Sequence, residues 1–363
     1  MVGDVDAQER LMGLSAMSRD WIAGLGGRHR NLEEFLARSR NLVSGTCVGI
    51  GRHDLRIERS VFDLVIIDEA ARCTPSELAV GMQSGKRVVL VGDHRQLPPL
   101  FGHELMKEMR SRIGGVTPLE LKRSDFERAF GSSYGKSVAR TLTRQYRMTQ
   151  EISDLVSDNF YPGQGLHAER PTSNQIYNQL PPPFDHPVAW VDTSSGGQEG
   201  ESGHSFTNRR EAHSVIELLR VLSAKQTFLD AAPTTLELEP EQALIGVICM
   251  YAQQASLIEE LLTSSGLPGS FRSMVRVDTV DAYQGKENRI IIVSLVRNNP
   301  DSSMGHVRSE NRINVALSRA MDRLVIVGSA RMFERRGNPL SPVLKSLRER
   351  QRVRTGQQWG LGR

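Results

Sequence analysis

Two short apolar segments, each ended by acidic residues, constrain the fold of this chain more than any other feature. The segments are 64–67 (Leu-Val-Ile-Ile) and 88–91 (Val-Val-Leu-Val). Both are continuous and rich in β-branched residues, as is typical of strands buried on both faces of a parallel sheet. Asp68 and Glu69 directly follow the first segment, and Asp93 follows the second after one glycine. Because ligands of open α/β sheets bind outside the carboxyl ends of the strands, these acids predict a site for a metal ion and a polar substrate.

The acidic residues have the chemistry of a nucleotide site. Mg²⁺ is bound by one or two carboxylates together with phosphate oxygens, and Asp68 is the candidate ligand. Glu69 is the candidate base that aligns or deprotonates an attacking water. Gln96, within the segment 92–99 (Gly-Asp-His-Arg-Gln-Leu-Pro-Pro), has an amide suited to sense a terminal phosphate. The alternative is that Asp68 only caps a helix that starts near Ala70, since Asp is a good N-cap, but the second acid-ended strand favours the nucleotide interpretation.

The segment 61–99 resembles motifs II and III of superfamily 1 helicases, in particular those of the Upf1-like (DNA2/NAM7) branch. Three later segments resemble motifs IV, V and VI in the family's order, and these are 142–148 (LTRQYRM), 275–287 (VRVDTVDAYQGKE) and 311–320 (NRINVALSRA). The motif V pattern is highly specific, and five motifs in the correct order make a chance match negligible. The resemblance extends over residues 42–330 and implies an ATP-dependent motor that acts on nucleic acid.

The resemblance implies a role for each of two arginines. Arg147 of the motif IV segment is the arginine that reaches across the interdomain cleft to phosphate in the family, a role that suits a planar, always charged guanidinium. Arg319 of the motif VI segment is the implied arginine finger, which stabilises charge on the transferring phosphoryl group. The structural alternatives are a surface arginine at a helix start for Arg147 and a helix arginine that caps a C-terminus for Arg319. The ordered motifs favour the functional roles.

Motif V supplies the implied contacts to the nucleotide and to nucleic acid. Gly285 lets the backbone approach the nucleotide closely, because glycine has no Cβ. Glu287 is the implied ribose or nucleotide contact. Gln284 and Thr279 lie where motif V couples nucleic acid to the ATP cleft in the family.

The segment 41–51 (NLVSGTCVGIG) predicts a short strand followed by a glycine turn. A similar Thr-Cys-Val-Gly segment precedes motif II in the family, which makes Thr46 a candidate nucleic-acid contact. A plain strand and turn without any contact is an equally good interpretation.

Strands and helices alternate along the rest of the chain, which predicts parallel sheets built from βαβ units. The predicted strands include 188–191, 243–251, 290–296 and 324–327, and the predicted helices include 11–40, one from Asn208 and one through 258–262. We therefore expect an α/β fold, and the resemblance implies two RecA-like domains of the P-loop NTPase class, the first N-terminally incomplete. The predicted bounds are 1–121 for the first domain, 122–345 for the second and 346–363 for a basic tail.

The composition of the 363 residues, 39% hydrophobic and 24% charged, is that of a soluble globular protein. No apolar run is long enough for a membrane span, and the acidic N-terminus is not a signal peptide. The three cysteines lack metal-ligand spacing, so we expect reduced thiols in a cytoplasmic protein. Residues 331–363 hold nine Lys or Arg and two Asp or Glu, a local charge of +7 within a net charge of +4. This basic end suits a polyanion partner, and a solvated terminus is the alternative.

The 363 residues contain no G-x-x-x-x-G-K-[ST] pattern, the loop whose backbone amides and lysine hold phosphates in this class of motor. The segment 131–137 (GSSYGKS) comes near to it, but has one residue too few between its glycines and follows motif III. We therefore expect a motor from which an N-terminal segment is missing. The chain is a fragment, half of a split motor whose loop another chain supplies, or a degraded gene product.

Three functions are compatible with these features. The first is the motor core of a helicase or translocase that uses ATP and Mg²⁺, with 5′-to-3′ movement on single-stranded DNA or RNA implied by the family; without the loop, little hydrolysis is expected from the chain alone. The second is a single-stranded nucleic-acid-binding module that does not hydrolyse ATP. The third is a non-functional remnant, whose incomplete first sheet would leave an open edge and lower its solubility.

Overall fold

The chain forms two compact units. The first unit comprises residues 1–94 and 98–139, and the second unit comprises residues 95–97 and 140–363. The computed structural model describes residues 2–26, 36–37, 39–52, 55, 57, 60–112, 120, 123–170, 174–203, 205–239, 241–335 and 337–361. The predicted boundary at Leu121 lies outside the described residues, and the segment 123–139 belongs to the first unit rather than to the second.

The first unit contains a small parallel sheet and several helices. In chain order its elements are α1 (Val2–Gly26), α2 (Cys47–Ile50), β1 (Val65–Ile67), α3 (Pro75–Met82), β2 (Val88–Leu90), α4 (His103–Arg112), α5 (Asp125–Gly131) and α6 (Ser133–Val138). Strands β1 and β2 pair in parallel, with Val65 opposite Val88 and Ile67 opposite Leu90. Both predicted strands of the acid-ended segments are therefore present.

Within the described residues only one face of this small sheet is buried. Ile67 is 5% exposed and lies in one apolar cluster with Leu78 of α3 and Phe126 of α5. Ile66 and Val89, which point to the other face, are 63% and 46% exposed. The prediction that both segments are buried on both faces is therefore wrong here. Side chains alternate between the two faces of a strand, and the described helices of this cluster cover only the face that carries Ile67.

Helix α3 begins with a capping box, which decides where the segment after β1 becomes helical. The Thr74 hydroxyl accepts a hydrogen bond from the Glu77 backbone N–H, and the Glu77 carboxylate accepts one from the Thr74 N–H at 2.7 Å. Pro75 occupies the first helical position, where its missing N–H has no cost. The alternative that Asp68 caps a helix starting near Ala70 is wrong, because residues 68–72 form turns and Thr74 is the cap.

The segment 41–51 is not the predicted strand but contains the short helix α2. Thr46 has an extended backbone and is the N-cap of α2, with its Oγ1 accepting a hydrogen bond from Gly49 N at 3.0 Å. A threonine that offers its hydroxyl to a free backbone N–H favours a helix start locally, and this outweighs the β-branched character of the segment.

The predicted helix 11–40 corresponds in part to α1, which ends at Gly26. Its C-terminal part, including Leu32 and Phe35, lies outside the described residues. The segment 131–137, which nearly matches a phosphate-binding loop, joins two helices, and Ser132 ends α5 and caps α6. A phosphate-binding loop of that class connects a strand to a helix, so this geometry agrees with rejecting the segment.

The second unit is built on a six-stranded parallel sheet. In chain order its elements are β3 (Arg144–Thr149), α7 (Gln150–Phe160), β4 (His167–Arg170), β5 (Val188–Asp192), β6 (Gly200–Ser202), β7 (Ser205–Thr207), α8 (Arg209–Ser223), α9 (Gln226–Thr235), β8 (Ile245–Cys249), α10 (Ala252–Ser264), α11 (Gly269–Arg272), β9 (Val275–Thr279), β10 (Asn288–Ser294), α12 (Glu310–Leu317), β11 (Ala320–Gly328), α13 (Ala330–Phe333), α14 (Ser341–Glu349) and β12 (Val353–Thr355). The strand order is β12-β5-β11-β10-β8-β9, and every pairing in it is parallel. This confirms the predicted α/β class.

The centre of the large sheet is buried on both faces. Residues 290–293 of β10 are fully buried, and their side chains alternate between two apolar clusters on opposite faces of the sheet. Helix α8 covers one face with Ala212, Val215 and Leu219, all fully buried, and Asn208 caps its start. The strands and the helix predicted for this part of the chain are confirmed.

The basic C-terminal end takes part in the sheet. Strand β12 pairs in parallel with β5, with Val353 opposite Trp190. Trp359 is 4% exposed and donates its indole N–H to the Trp190 carbonyl at 3.0 Å. The alternative of a solvated terminus is therefore wrong for residues 353–361.

Among the described residues, no helix is long and apolar enough to cross a membrane.

Candidate functional site

The paired acids Asp68 and Glu69 lie in a turn directly after β1, and both are exposed. The Asp68 Oδ1 atom accepts a hydrogen bond from Glu69 N at 2.9 Å. Glu69 has a φ of 53°, a left-handed conformation that is uncommon for a residue with a Cβ. The next residue, Ala70, donates its N–H to the Val91 carbonyl at 2.8 Å, which fastens this turn to the end of β2.

Gly92, two residues after β2, packs closely against the turn that follows β1. A Cβ added to Gly92 would lie 2.8 Å from the backbone nitrogen of Ala71, a distance that real Cβ atoms do not show. Only glycine therefore lets the turn after β1 pack on the segment after β2. The glycine that precedes Asp93 in the sequence thus has a structural reason.

Thr46, the candidate nucleic-acid contact, is exposed at the start of α2. Its hydroxyl oxygen is already the acceptor in the helix cap, and its role toward nucleic acid stays a prediction.

Gln96 and Arg319 meet within the second unit although 223 positions separate them. Arg319 is 2% exposed, and its Nη2 atom donates to Gln96 Oε1 at 3.1 Å and to Ser318 Oγ at 3.1 Å. Its Nε atom donates to the Val315 carbonyl at 3.1 Å, in the last turn of α12. The guanidinium therefore satisfies a helix C-terminus, as the structural alternative proposed, and also holds the glutamine of the motif III segment.

The segment 95–97 is fixed to helix α12 by side-chain amides. Asn314 donates to the Arg95 carbonyl at 2.9 Å and to the Tyr161 hydroxyl at 2.7 Å. Asn311 donates to the Gln96 carbonyl, and Leu97 is buried in the apolar core of the second unit. These contacts place the motif III glutamine on the helix that leads to Arg319.

Arg147 forms an ion pair with Glu287, the motif V residue with an implied nucleotide role. About a third of each of the two side chains is exposed. The Arg147 Nη1 atom also donates to the Ser318 carbonyl at 3.5 Å, beside Arg319. Arg147 lies within β3 and not at a helix start, so the structural alternative for this residue is wrong.

The motif V residues lie at the end of β9 and in the turns that follow it. Thr279 is the last residue of β9, and its Oγ1 accepts a long hydrogen bond of 3.4 Å from Ala282 N. Tyr283 is buried and donates its hydroxyl to Asn288. Gln284 is partly buried beside it, and Gly285 follows with a φ of 78° and open space where a Cβ would be. The positive φ alone accounts for a glycine at this position, without any contact to a nucleotide.

An ion pair connects motif V to motif VI. Arg312 of α12 lies 3.2 Å from the Asp281 carboxylate, and both side chains are partly buried. The turn after β9 and the helix before Arg319 are thus tied to each other within the second unit.

Two buried carboxylates, Glu211 and Glu199, were not predicted from the sequence. Glu211 Oε2 accepts from Ser294 Oγ at 2.8 Å and from Val296 N at 2.7 Å, and complete burial raises the pKa of Glu211 to about 8. Val296 has a φ of 72°, which is strained for a β-branched residue. Glu199 pairs with the buried guanidinium of Arg297 at 3.0 Å.

Together these two carboxylates hold the segment that leaves β10. The sequence signal that could have found Glu211 is its place on the otherwise apolar core face of α8, one position before Ala212. A charged residue on such a face needs a partner inside the fold.

The described residues could bind a magnesium ion only together with phosphate oxygens of a nucleotide. They hold no group of three or more His, Cys, Asp or Glu side chains that could bind a metal by itself. Asp68, exposed at the end of a parallel strand, fits Mg²⁺ that takes most of its ligands from water and a nucleotide. The sequence contains no Walker-type phosphate loop.

Comparisons with known proteins agree with these observations. Two family models match, each described as an AAA domain, one over residues 4–102 and the other over residues 121–331. The chain is 33% identical over 313 residues to a regulator of nonsense transcripts 1 homolog of Drosophila melanogaster, and the match covers 84% of this chain and 24% of that protein. It is 33% identical over 306 residues to the ATP-dependent helicase upf1 of Schizosaccharomyces pombe, with 83% of this chain and 30% of that protein covered.

A third relative is the DNA replication ATP-dependent helicase/nuclease DNA2 of Mus musculus, 31% identical over 333 residues. That match covers 84% of this chain and 28% of the mouse protein. The chain thus spans between about a quarter and a third of the length of these curated relatives. The second family model alone covers more than half of the 363 residues, and the parallel α/β architecture is that of RecA-like P-loop NTPase domains. The chain therefore belongs to this AAA-domain family and, within it, to the Upf1-like (DNA2/NAM7) branch of the superfamily 1 helicases.

Proposed function

We propose that the chain is part of an ATP-dependent helicase or translocase motor that moves on single-stranded nucleic acid. The observation that carries this proposal is the convergence of motif residues in the second unit. Gln96 contacts Arg319, Glu287 contacts Arg147, and Arg147 reaches the carbonyl of Ser318 next to Arg319. Residues from motifs III, IV, V and VI thus form one connected group of hydrogen bonds and ion pairs.

The proposed roles follow from the chemistry of each side chain. Asp68 would hold Mg²⁺ through its carboxylate, and Glu69 would align the attacking water and accept its proton. Arg319 and Arg147 stabilise negative charge on phosphate, and Gln96 links the terminal phosphate to Arg319. Glu287, Gln284 and Gly285 are the proposed nucleotide contacts of motif V. ATP, when bound, supplies the phosphoanhydride whose hydrolysis drives movement.

The proposed motor moves along nucleic acid, which Thr46 and Thr279 are proposed to contact. The relatives include a regulator of nonsense transcripts and a DNA replication helicase, so the choice between RNA and DNA stays open. A cytoplasmic setting is proposed together with the motor function, in line with the unpaired cysteines.

The chain alone is proposed to hydrolyse ATP slowly or not at all. Its 363 residues lack the G-x-x-x-x-G-K-[ST] loop, and each lost electrostatic stabiliser of this kind lowers turnover by about 10²-fold or more. A further segment or a separate chain would supply the missing phosphate contacts. Strong turnover by the purified chain, abolished by Glu69→Gln, would contradict this part of the proposal.

A second candidate function is binding of single-stranded nucleic acid without hydrolysis. The absent loop pattern favours it, and the C-terminal end of the chain is basic. Such binding would rest on contacts to the phosphate backbone and would weaken steeply with salt.

Titration of a fluorescent ATP analogue with Mg²⁺ separates the two candidates. If the motor proposal holds, the chain binds the analogue, and Asp68→Ala weakens binding by about tenfold or more, a loss of roughly 1.4 kcal/mol. The matched control is Asp63→Ala, since Asp63 is an exposed acid of the same unit whose carboxylate forms an ion pair with Lys86. Absence of nucleotide binding, with salt-sensitive binding of an oligonucleotide retained, would mean that this chain by itself acts as a binding module and that the phosphate contacts of any motor lie outside it.

A further inference from the structure

Two partly buried cysteines lie side by side in the first unit. Cys47 is the first residue of α2, and Cys73 ends the series of turns after β1, directly before the helix cap Thr74. The two thiols are close enough for Cys47 to contribute to a raised pKa of Cys73. Both side chains pack against the apolar cluster that contains Ile67 and Leu78. Helix α2 and the turns before α3 thus bring the two thiols to the same apolar cluster from separate parts of the chain.

Each thiol belongs to a segment that carries a candidate functional residue. Cys47 directly follows Thr46, and the Cys73 thiol donates a hydrogen bond to the Glu69 carbonyl at a sulfur–oxygen distance of 3.8 Å. Both cysteines are only partly buried and remain open to a small reagent, whereas Cys249 in β8 is fully buried. The chain therefore contains two accessible thiols that are neighbours and one inaccessible thiol.

We propose that Cys47 and Cys73 are a redox pair that forms a reversible disulfide when the protein meets a small disulfide such as oxidised glutathione. The bond would connect α2 to the turn that carries Asp68 and Glu69. A metal site at the same place is not supported, because the described residues near the pair do not form a group of three or more metal-binding side chains. The inference rests on the positions of the thiols and not on the proposed motor function.

The reaction is a thiol–disulfide exchange in two steps. The Cys47 thiolate attacks one sulfur of oxidised glutathione, which forms a mixed disulfide and releases one glutathione thiolate. The Cys73 sulfur then attacks the Cys47 sulfur, loses its proton to solvent, and releases the second glutathione. The two protein thiols are oxidised, and one oxidised glutathione is reduced to two molecules of glutathione.

The environment of Cys73 sets the pH dependence of the second step. In the reduced protein, burial, then the neighbouring Cys47 and then the carboxylates of Glu77 and Glu69 raise the pKa of Cys73 to about 11. In the mixed disulfide Cys47 is no longer a thiol, but burial and the carboxylates of Glu77 and Glu69 still raise the pKa of Cys73. Because the thiolate is the nucleophile, this mixed disulfide should persist at pH 7 and close to the protein disulfide faster as the pH rises. Once the disulfide forms, the thiol hydrogen that Cys73 donates to the Glu69 carbonyl is lost.

Peptide mapping of the whole chain tests the proposal. The reduced protein is incubated with oxidised glutathione at pH 7 and pH 8.5, alkylated with N-ethylmaleimide, and digested with trypsin. Trypsin releases Cys47 in residues 41–52, Cys73 in residues 73–86 and Cys249 in residues 226–272. We expect peptide 41–52 to be joined to peptide 73–86, with a mass about 2 Da below the sum of the two free peptides. The joined species should be more abundant at pH 8.5 and should disappear with dithiothreitol.

Single-cysteine variants make the outcome specific. Cys249→Ala should retain the joined peptides, whereas Cys47→Ser and Cys73→Ser should stop at the glutathione adduct of the remaining cysteine. Hydrogen exchange of the amides in 69–73 should be slower in the oxidised protein than in the reduced protein. Glutathione adducts on both cysteines without joined peptides would overturn the proposal. So would joined peptides that include Cys249 or a second protein molecule, or an oxidised turn that exchanges as fast as the reduced one.

Discussion

In the first unit, Ile66 lies at the middle of β1 and is 63% exposed, whereas in the second unit residues 290–293 of β10 are fully buried. Both strands come from short, continuous, β-branched segments that look alike in the sequence. The described part of the first sheet has two strands and one covered face, and the second sheet has six strands and an apolar cluster on each face. The apolar segment therefore specifies a strand, and its neighbours decide how much of that strand is buried.

The same contrast holds for the polar residues of the two units. In the first unit Asp68 and Glu69 are exposed at the end of a short strand. In the second unit Glu211, Asp322 and Arg319 are buried, and each has hydrogen-bond partners from distant parts of the chain. A sheet with two covered faces can hold charged groups away from water only when such partners are present. The second unit is therefore the part in which single polar substitutions should have the larger effects on stability.

The largest expected effect comes from matched isoleucine truncations in the two sheets. Ile292→Ala should lower the free energy of unfolding of the second unit by about 2–5 kcal/mol, because it leaves a cavity in a fully buried strand. Ile66→Ala, the same change on the exposed face of β1, should cost less than about 1 kcal/mol. Urea unfolding followed by amide hydrogen exchange would report each unit separately. Equal losses of unfolding free energy in the two variants would contradict the proposed difference in burial between the two sheets.

A smaller effect is expected from Glu211→Gln, and it should depend on pH. The folded-state pKa of Glu211, about 8, lies above the ordinary glutamate value of 4.5, so the folded protein binds the extra proton between these values. The contribution of Glu211 to the free energy of unfolding is fully present below about pH 4.5, and it is lost as the pH rises through about 8. Glutamine keeps the acceptor for Ser294 and Val296 but cannot ionise.

The Glu211→Gln variant should therefore match the parent protein near pH 5 and be more stable at pH 9, by up to a few kcal/mol. Thermal unfolding of the two proteins between pH 5 and pH 9 would show it. A parent protein whose stability has the same slope as the variant over that range would contradict a raised pKa for Glu211. Glu217→Gln, an exchange on the outer part of the same helix, is the control and should leave the slope unchanged.

The smallest expected effect on stability comes from substitutions in the capping box of α3 in the first unit. Thr74→Ala should destabilise this helix by about 1 kcal/mol, because the N–H of Glu77 loses its acceptor. Thr74→Ser keeps the hydroxyl and should stay close to the parent protein. Amide exchange rates in 77–82 measure both variants. If serine and alanine speed exchange equally, the cap contributes no stability and the exposed turn before it fixes the helix start instead.

The sequence predicted the main strands of the large sheet because a continuous apolar segment of that length has few other stable conformations. It also placed the acidic pair at the end of a strand, since that follows from the order of the residues alone. It failed for 41–51, where one side-chain hydrogen bond from Thr46 starts a helix in a segment with strand-like composition. It also failed for the basic end, whose strand β12 is stabilised by pairing with β5 and by Trp359 against Trp190.

The amino-acid sequence by itself determined the family, the order of the motifs and the parallel α/β class. Only the tertiary structure decided that Gln96 contacts Arg319, that Arg147 pairs with Glu287, and that Cys47 lies beside Cys73. The physical reason is the range of the interactions. Strand and helix patterns depend on neighbouring residues, whereas these contacts join residues that are far apart in the chain and meet only after the sheets and helices have packed.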